Sequence, residues 1–461
     1  MSEFTFTREQ FEALLAEVVA LRAEVADLKL QLAAAKKNSR NSSKPPSIEH
    51  PHAKPAAKPI SSNGNPGGQP GRDRHLRALV PLDQCMDVIE HKPKRCRGCG
   101  GRLTGADPTP DRKQIWEVPP IVPEITEHRL HRLTCSCCGV VTCARMPADA
   151  PTCEAGPRLV ALVALMMGGF RCSKRKVAQF VQEVLNIPCS PGWVVKLQHI
   201  ATAALGPARD ELIERLPDQA VLNIDESPTK QGQIKAWIWT FVAATFTVFS
   251  IRKSRKAEPL GEYLGAAFHG VVGCDRAKMY FQLPIVQWCW AHLIRDFQGW
   301  IDGGDGVAKR LGHDLMRPIG AVFELWWRVR DGTLSREAFR KQMQPLRDEI
   351  ESLLLRGAYG SSAAVRGRCW ELHDHRARLW AFVDHLGVEP TNNGAERALR
   401  QAVIWRKLSF GTQSEAGSKF VETMLTVLET CRQQSRSAYA FVTAALQAHY
   451  AKKPALKLLR A

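Results

Sequence analysis

The chain has 461 residues, 44 % of them hydrophobic, and sets 64 Lys and Arg against 46 Asp and Glu for a formal charge of +18. That length exceeds one hydrophobic core, so several domains are expected, and the basic balance points to an acidic partner, nucleic acid first. No membrane partner is expected, because the longest apolar run, 159–170, falls short of the roughly 20 residues a bilayer needs. The N-terminus has no basic-then-apolar export signal, and 14 cysteines in such a chain suit thiols and metal binding. A bacterial-type cytoplasm is the expected location, close to the nucleoid if the partner is DNA.

Residues 1–37 are expected to form a coiled coil. Apolar Phe11, Leu14, Val18, Leu21, Val25, Leu28, Leu32 and Ala35 alternate at spacings of three and four, a heptad seam. Val18 and Val25 share one seam position and Leu14, Leu21 and Leu28 the other, the arrangement that favours a parallel dimer. The plainer alternative is a helix packed on its own domain. Residues 38–80 are rich in Pro, Ser, Gly and Lys and predict a disordered or extended basic linker, either touching phosphates or merely solvated.

Residues 81–150 predict a zinc ribbon. Cys96-x-x-Cys99-Gly and Cys135-x-x-Cys138-Gly are two matched knuckles, and four thiolates suit a structural Zn²⁺ with no open coordination position. Cys137 and Cys143 are spare thiols, so ligand choice in the second knuckle stays open. The stretches "KQIWEVPP" and "ITEHRLHRLTC" between them look extended. Residues 151–215 predict a helical domain. Ser190-Pro191 reads as an N-cap followed by proline at the first helical position. Two helices around that break suggest a helix-turn-helix, with Lys174, Arg175 and Lys196 as candidate DNA contacts; an ordinary α-hairpin has the same pattern.

From 216 to 299 the pattern turns β-rich. "QAVLNIDESPT" reads as an apolar strand ending at Asp225, and "HGVVGCDRAKMY" as another ending at Asp275. Residues 300–386 are helical, charged and Trp-rich without a chemical motif. Residues 387–461 return to helix, with Glu396 in the first turn after Asn392-Asn393, followed by Arg397, Arg400, Arg406 and Lys407. Each carboxylate has an ordinary reading: Asp225 as a turn cap, Asp275 paired with Arg276 or Lys278, and Glu396 paired with Arg400 at i,i+4. Brought together by strands and a helix, the three would instead form a self-repelling cluster that divalent cations neutralise, as in phosphodiester chemistry.

The combination of "NSSKPP", "GGQPG", the two knuckles, "NIDESPT", "GCDRAKMY", "CWAHLIRDF" and "NNGAERALRQAVIWRKLSFG" resembles transposases of the insertion sequence 66 family over nearly the whole chain. The resemblance implies an α/β multidomain protein with an RNase H-like core in 216–299, a helical insertion in 300–386, and a Glu helix in 387–461. It implies a catalytic triad of Asp225, Asp275 and Glu396 binding two Mg²⁺ (or Mn²⁺), with Zn²⁺ at Cys96, Cys99, Cys135 and Cys138. It also implies double-stranded DNA as partner, both terminal inverted repeats and target, with small companion proteins of the same element as candidate accessories. Arg397, Arg400, Arg406 and Lys407 would then line the DNA path, and His292 would sit beside the site or touch DNA; a packed histidine is its plain alternative. Two blocks depart from the usual family form, Asp-Glu-Ser for Asp-Glu-Thr and Arg276-Ala277 for Gly-Tyr. The competing readings are a catalytically inactive zinc-ribbon DNA-binding protein derived from a transposase, and an RNase H-like nuclease with cellular substrates.

Overall fold

The structure is a computed structural model that describes residues 7–35, 37, 41–42, 77–147, 150–151, 153–303 and 305–459. All of the expected linker but 41–42 and 77–80 lies outside these residues. The chain divides into two compact units, Pro51–Pro123 and the remainder. Among the described residues no helix is long and apolar enough to cross a membrane.

The smaller unit holds the first cysteine knuckle. Cys96 N–H donates to Gly101 O at 2.8 Å and Gly100 N–H to Cys96 O at 3.0 Å. Gly100 takes φ +75°, a left-handed turn that glycine adopts without strain. In the larger unit the second knuckle closes in the same way, Cys135 N–H to Val140 O and Gly139 N–H to Cys135 O, both 2.9 Å, with Gly139 at φ +71°. It joins a short antiparallel ribbon, β1 (Arg132–Thr134) and β2 (Val141–Cys143). The stretch "KQIWEVPP" forms no strand, and only the end of "ITEHRLHRLTC" does. These exposed segments have almost no apolar partner to bury against, so short hydrogen-bonded turns dominate their structure.

The heptad segment is one helix, α1 (Arg8–Ala35). Its seam residues Phe11, Leu14, Val18, Leu21, Val25, Leu28 and Leu32 are all exposed, between 39 % and 56 %. The helical domain comprises α2 (Pro157–Gly168), α3 (Lys174–Glu183) and α4 (Pro191–Glu214). Ser190 Oγ accepts from Trp193 N–H at 3.1 Å, the expected cap. The second helix runs well past the expected pair, however. Its buried face, from Val194 through Leu212, packs on α2 and on the later α12 (Glu415–Gln433).

The central sheet has five strands in the order β5-β4-β3-β6-β7: β5 (Thr247–Arg252), β4 (Ile234–Val242), β3 (Val221–Gln231), β6 (Val271–Cys274) and β7 (Ile285–Trp288). The first three are antiparallel, and β3, β6 and β7 are parallel. Strand β3 does not end at Asp225, as the sequence suggested; it continues to Gln231 because the β4 hairpin partner pairs along its full length. What ends near that level is its other neighbour, β6. Between β5 and β6 lies α5 (Glu258–Leu264), and after β7 comes α6 (Trp290–Gly303). The helical segment that follows holds α7 (Gly306–Arg330), α8 (Arg336–Tyr359), α9 (Ala363–Asp374) and α10 (Ala377–Asp384). The chain then returns through α11 (Asn393–Ser409), α12 and α13 (Ala438–Tyr450).

Both sheet edges are covered. Outward N–H groups of β5, at Thr247, Phe249 and Ile251, donate to Thr430 Oγ1, Thr426 Oγ1 and Glu422 Oε2 on α12 at 3.1, 2.9 and 2.8 Å. Spacing of four along the helix matches spacing of two along the strand, so one helix face serves a strand edge. Glu422 Oε1 also accepts from Arg209 Nη1 at 2.6 Å, with both side chains nearly buried, which ties α12 to α4. On the other edge, Gln287 accepts from Phe382 N–H at 2.8 Å and donates to Leu379 O, binding α10 to β7.

Candidate active site

Parallel register brings the two aspartates together. Asn223 of β3 pairs with Gly273 of β6, so Asp225 and Asp275, each two residues further on, lie side by side on one face of the sheet. A Cβ at Gly273 would meet Asn223 Oδ1 at 2.4 Å, so a larger residue there would have to displace the Asn223 amide. Glu396 arrives on the first turn of α11. Asn392 just before that helix donates from its side chain to Ile224 O at 2.7 Å and from its backbone N–H to Cys289 Sγ at 3.2 Å. The helix start is thereby pinned one residue from Asp225. Asn392 is the N-cap residue, but its side chain makes no cap bond; it holds the sheet instead.

The electrostatics record the convergence. Asp225 is pushed well above the usual carboxylate range, by burial first and then by Glu226, Asp275 and Glu396. Glu396 is raised by burial and by Asp275, while Arg295 and Arg400 oppose the rise. Glu396 Oε1 is buried with no hydrogen-bond partner. Like charges held together with an unsatisfied oxygen among them fit a divalent cation, so Mg²⁺ or Mn²⁺ suits this donor set. The aspartates are oriented by the backbone: Ala277 N–H donates to Asp275 Oδ1 at 2.8 Å and Glu226 N–H to Asp225 Oδ1 at 2.9 Å.

Arg276, the departure in the second block, points away from the carboxylates. It pairs with buried Asp296 of α6 at 2.5 Å and with Glu371 of α9 at 3.4 Å. The loop carrying Asp275 is thus tied to the helical segment, and the pairing of Asp275 with Arg276 does not form. His292 lies at the site, its Nδ1 3.7 Å from Glu396 Oε1. Burial first, then Arg295 and Arg276, push its pKa down to about 4, so at neutral pH this approach is no ion pair.

Several residues at the site escaped the sequence. Glu226 is buried beside Asp225, accepting from Arg255 at 2.8 Å and from Tyr280 Oη at 2.5 Å. Arg295 approaches Glu396 at 4.0 Å, and Cys289 faces it from the end of β7. Only the spacing of His292 and Arg295 on one helix face offered a signal.

Of the expected DNA contacts, Arg397, Arg400 and Lys407 are exposed along α11. Arg406 is instead taken by Pro228 O on β3. Lys174 and Arg175 stand exposed in the first turn of α3, and Lys196 lies 3.7 Å from Glu154. Arg171, just ahead of α3, donates to Gln401 of α11 at 2.6 Å, so the α3 start and the basic helix are neighbours. Within each knuckle the backbone amides favour thiolate. The N–H groups of Cys99 and Gly98 lower the pKa of Cys96, and those of Cys138 and Cys137 lower that of Cys135.

A mixed sheet bearing a half-buried carboxylate cluster, flanked by helices, defines an α/β protein. A profile described as "Transposase IS66 family" matches residues 153–420, and one described as "zinc-finger binding domain of transposase IS66" matches 93–139. The chain belongs to the IS66 transposase family, and its cysteine region to that family's zinc fingers. Two relatives from Sinorhizobium fredii are each 24 % identical. The uncharacterized protein y4qI aligns over 48 % of this chain, and y4hP, also uncharacterized, over 78 %. The chain spans about half the length of the first, 46 %, and 72 % of the second.

Proposed function

We propose that the chain is a DNA transposase that cuts the ends of an insertion element and joins them to target DNA. The convergence of Asp225, Asp275 and Glu396 from distant parts of the chain carries this reading. An acidic pair on adjacent parallel strands of a mixed sheet, completed by a helical glutamate, supports an RNase H-like core. Bound to the three carboxylates, Mg²⁺ or Mn²⁺ supplies Lewis-acid stabilisation of charge on phosphodiester oxygens. The side chains of this protein do the positioning. Asn392 sets where Glu396 meets the aspartates, and Glu226, held by Arg255 and Tyr280, stiffens the strand behind Asp225. No protein nucleophile is used: water cleaves the phosphodiester, and the freed 3′-hydroxyl then attacks a target phosphorus.

Arg397, Arg400 and Lys407, with Lys174, Arg175 and Lys196, bind phosphates, which gives affinity and salt dependence rather than sequence choice. Cations in the first turn of α3 oppose its dipole and are relieved by a polyanion. Arg406 supports α11 against β3 rather than DNA. The pair α3 and α4 reads element ends in helix-turn-helix fashion, the knuckle cysteines Cys96, Cys99, Cys135 and Cys138 serve Zn²⁺ binding, and α1 pairs two copies in a coiled-coil dimer that bridges two ends.

The test is Mg²⁺-dependent nicking of element-end DNA. Asp225→Asn and Glu396→Gln are expected to reduce it at least about a thousandfold while DNA binding persists. Variants that cut like the parent would remove the triad assignment. A parent that binds these ends without cutting would leave the inactive DNA-binding protein as the correct reading, and cutting without end joining would leave a nuclease.

A further inference from the structure

We infer that Cys289, His292 and Glu396 form a second cation site, for a borderline divalent ion of the zinc class, beside the carboxylate triad. The inference rests on the placement of Glu396 at the active site and extends it to regulation of that glutamate. The three side chains each offer one ligand atom, and these atoms lie within 4.8 Å of one another. Cys289 closes β7 and His292 opens α6, with His292 N–H donating to Cys289 O at 3.1 Å. Sulfur and imidazole are therefore presented by a single turn, while Glu396 comes across from α11.

Two of the three atoms lack partners. His292 Nδ1 and Glu396 Oε1 are both buried without a hydrogen bond, and they face each other at 3.7 Å, too far for a hydrogen bond. An ion at about 2.0–2.2 Å from nitrogen and oxygen and about 2.3 Å from sulfur would satisfy both and reach Cys289 after a small closure. Arg295, 4.0 Å from the same oxygen, leaves Glu396 Oε1 without a hydrogen bond. One sulfur, one nitrogen and one oxygen, with a fourth place for water, suit Zn²⁺ and not Mg²⁺, which prefers oxygen ligands throughout. Binding converts the Cys289 thiol to a metal thiolate and releases its proton to solvent. Because Glu396 Oε1 is shared, an ion here competes with the triad for that carboxylate.

The probe is Co²⁺ added to the full-length protein after its cysteine knuckles have been filled with Zn²⁺. We expect one further Co²⁺ to bind, with a sulfur-to-metal charge-transfer band and the visible bands of a four-coordinate centre. Cys289→Ser abolishes the charge-transfer band, and His292→Ala weakens Co²⁺ affinity about tenfold or more. Thermal melting of both variants identifies any that fail to fold, and His292→Ala, at the less buried position, then decides. Co²⁺ uptake without the sulfur band, a band untouched by Cys289→Ser in folded protein, or no uptake at all overturns the site. Mg²⁺-dependent nicking by the same parent preparation separates this outcome from failure of the transposase reading. Cutting with no Co²⁺ signal overturns only the second site, and a Co²⁺ signal without cutting overturns only the enzyme.

Discussion

Asp225 is held where its own charge is costly: half-buried, with Glu226, Asp275 and Glu396 around it. Its pKa in the folded protein lies above that of an unfolded aspartate, so the protonated form stabilises the fold below about pH 4. That contribution disappears as pH rises through the raised folded value. Asp225→Asn stays neutral, and in metal-free protein it is expected to melt above the parent at pH 7 while losing nicking. The difference should vanish near pH 4 and narrow when Mg²⁺ is added at pH 7; thermal melts under those three conditions measure it. A variant less stable than the parent at pH 7 without metal would mean that the carboxylates do not repel one another in the fold. This is the trade between stability and activity expected of a strained site. Neither the pairing of Arg276 with Asp296 nor the burial of Glu226 was readable from the motifs. A sequence lists charges but not which of them is enclosed.

At the scale of elements, α12 caps the open edge of β5. Its sequence reads only as a helix with an apolar face, yet Glu422, Thr426 and Thr430 form a polar stripe at spacing four, and all three are buried. An unpaired strand edge buried under a helix would leave amides without acceptors. Thr426→Val keeps shape and volume but removes the acceptor for Phe249 N–H, so it is expected to cost about 1–3 kcal/mol in urea unfolding. Thr426→Ser, which retains the hydroxyl and loses only a buried methyl, is expected to cost about 0.8 kcal/mol. The sequence showed only a helix here; the role of the stripe was hidden because its partner β5 lies far away along the chain.

For the whole molecule, the exposed seam of α1 is the feature that one chain leaves unanswered. Seven large apolar residues at heptad spacing stay open along a single helix, and isolated helices rarely hold such a face in water. Leu21→Asp with Val25→Asp is expected to convert a dimer into a monomer by light scattering while the remaining folded body keeps its melting temperature. A parent that is already monomeric at micromolar concentration would show that the seam packs elsewhere.

Local pattern determined much of this protein on its own: the heptad helix, the two glycine-closed cysteine knuckles, the Ser190 cap, and the three acidic positions set after apolar runs or at a helix start. Those features depend on spacing along a few residues, where chain geometry alone limits the outcome. Tertiary structure decided the rest. Strand β3 passes through Asp225 because β4 pairs along its length, Glu396 reaches the aspartates because Asn392 grips Ile224, and Arg406 turns to Pro228. Cys289 meets His292 and Glu396 only once α6 and α11 are packed. Burial and the approach of distant segments set which charges repel and which atoms lack partners, and neither quantity exists until the chain has folded.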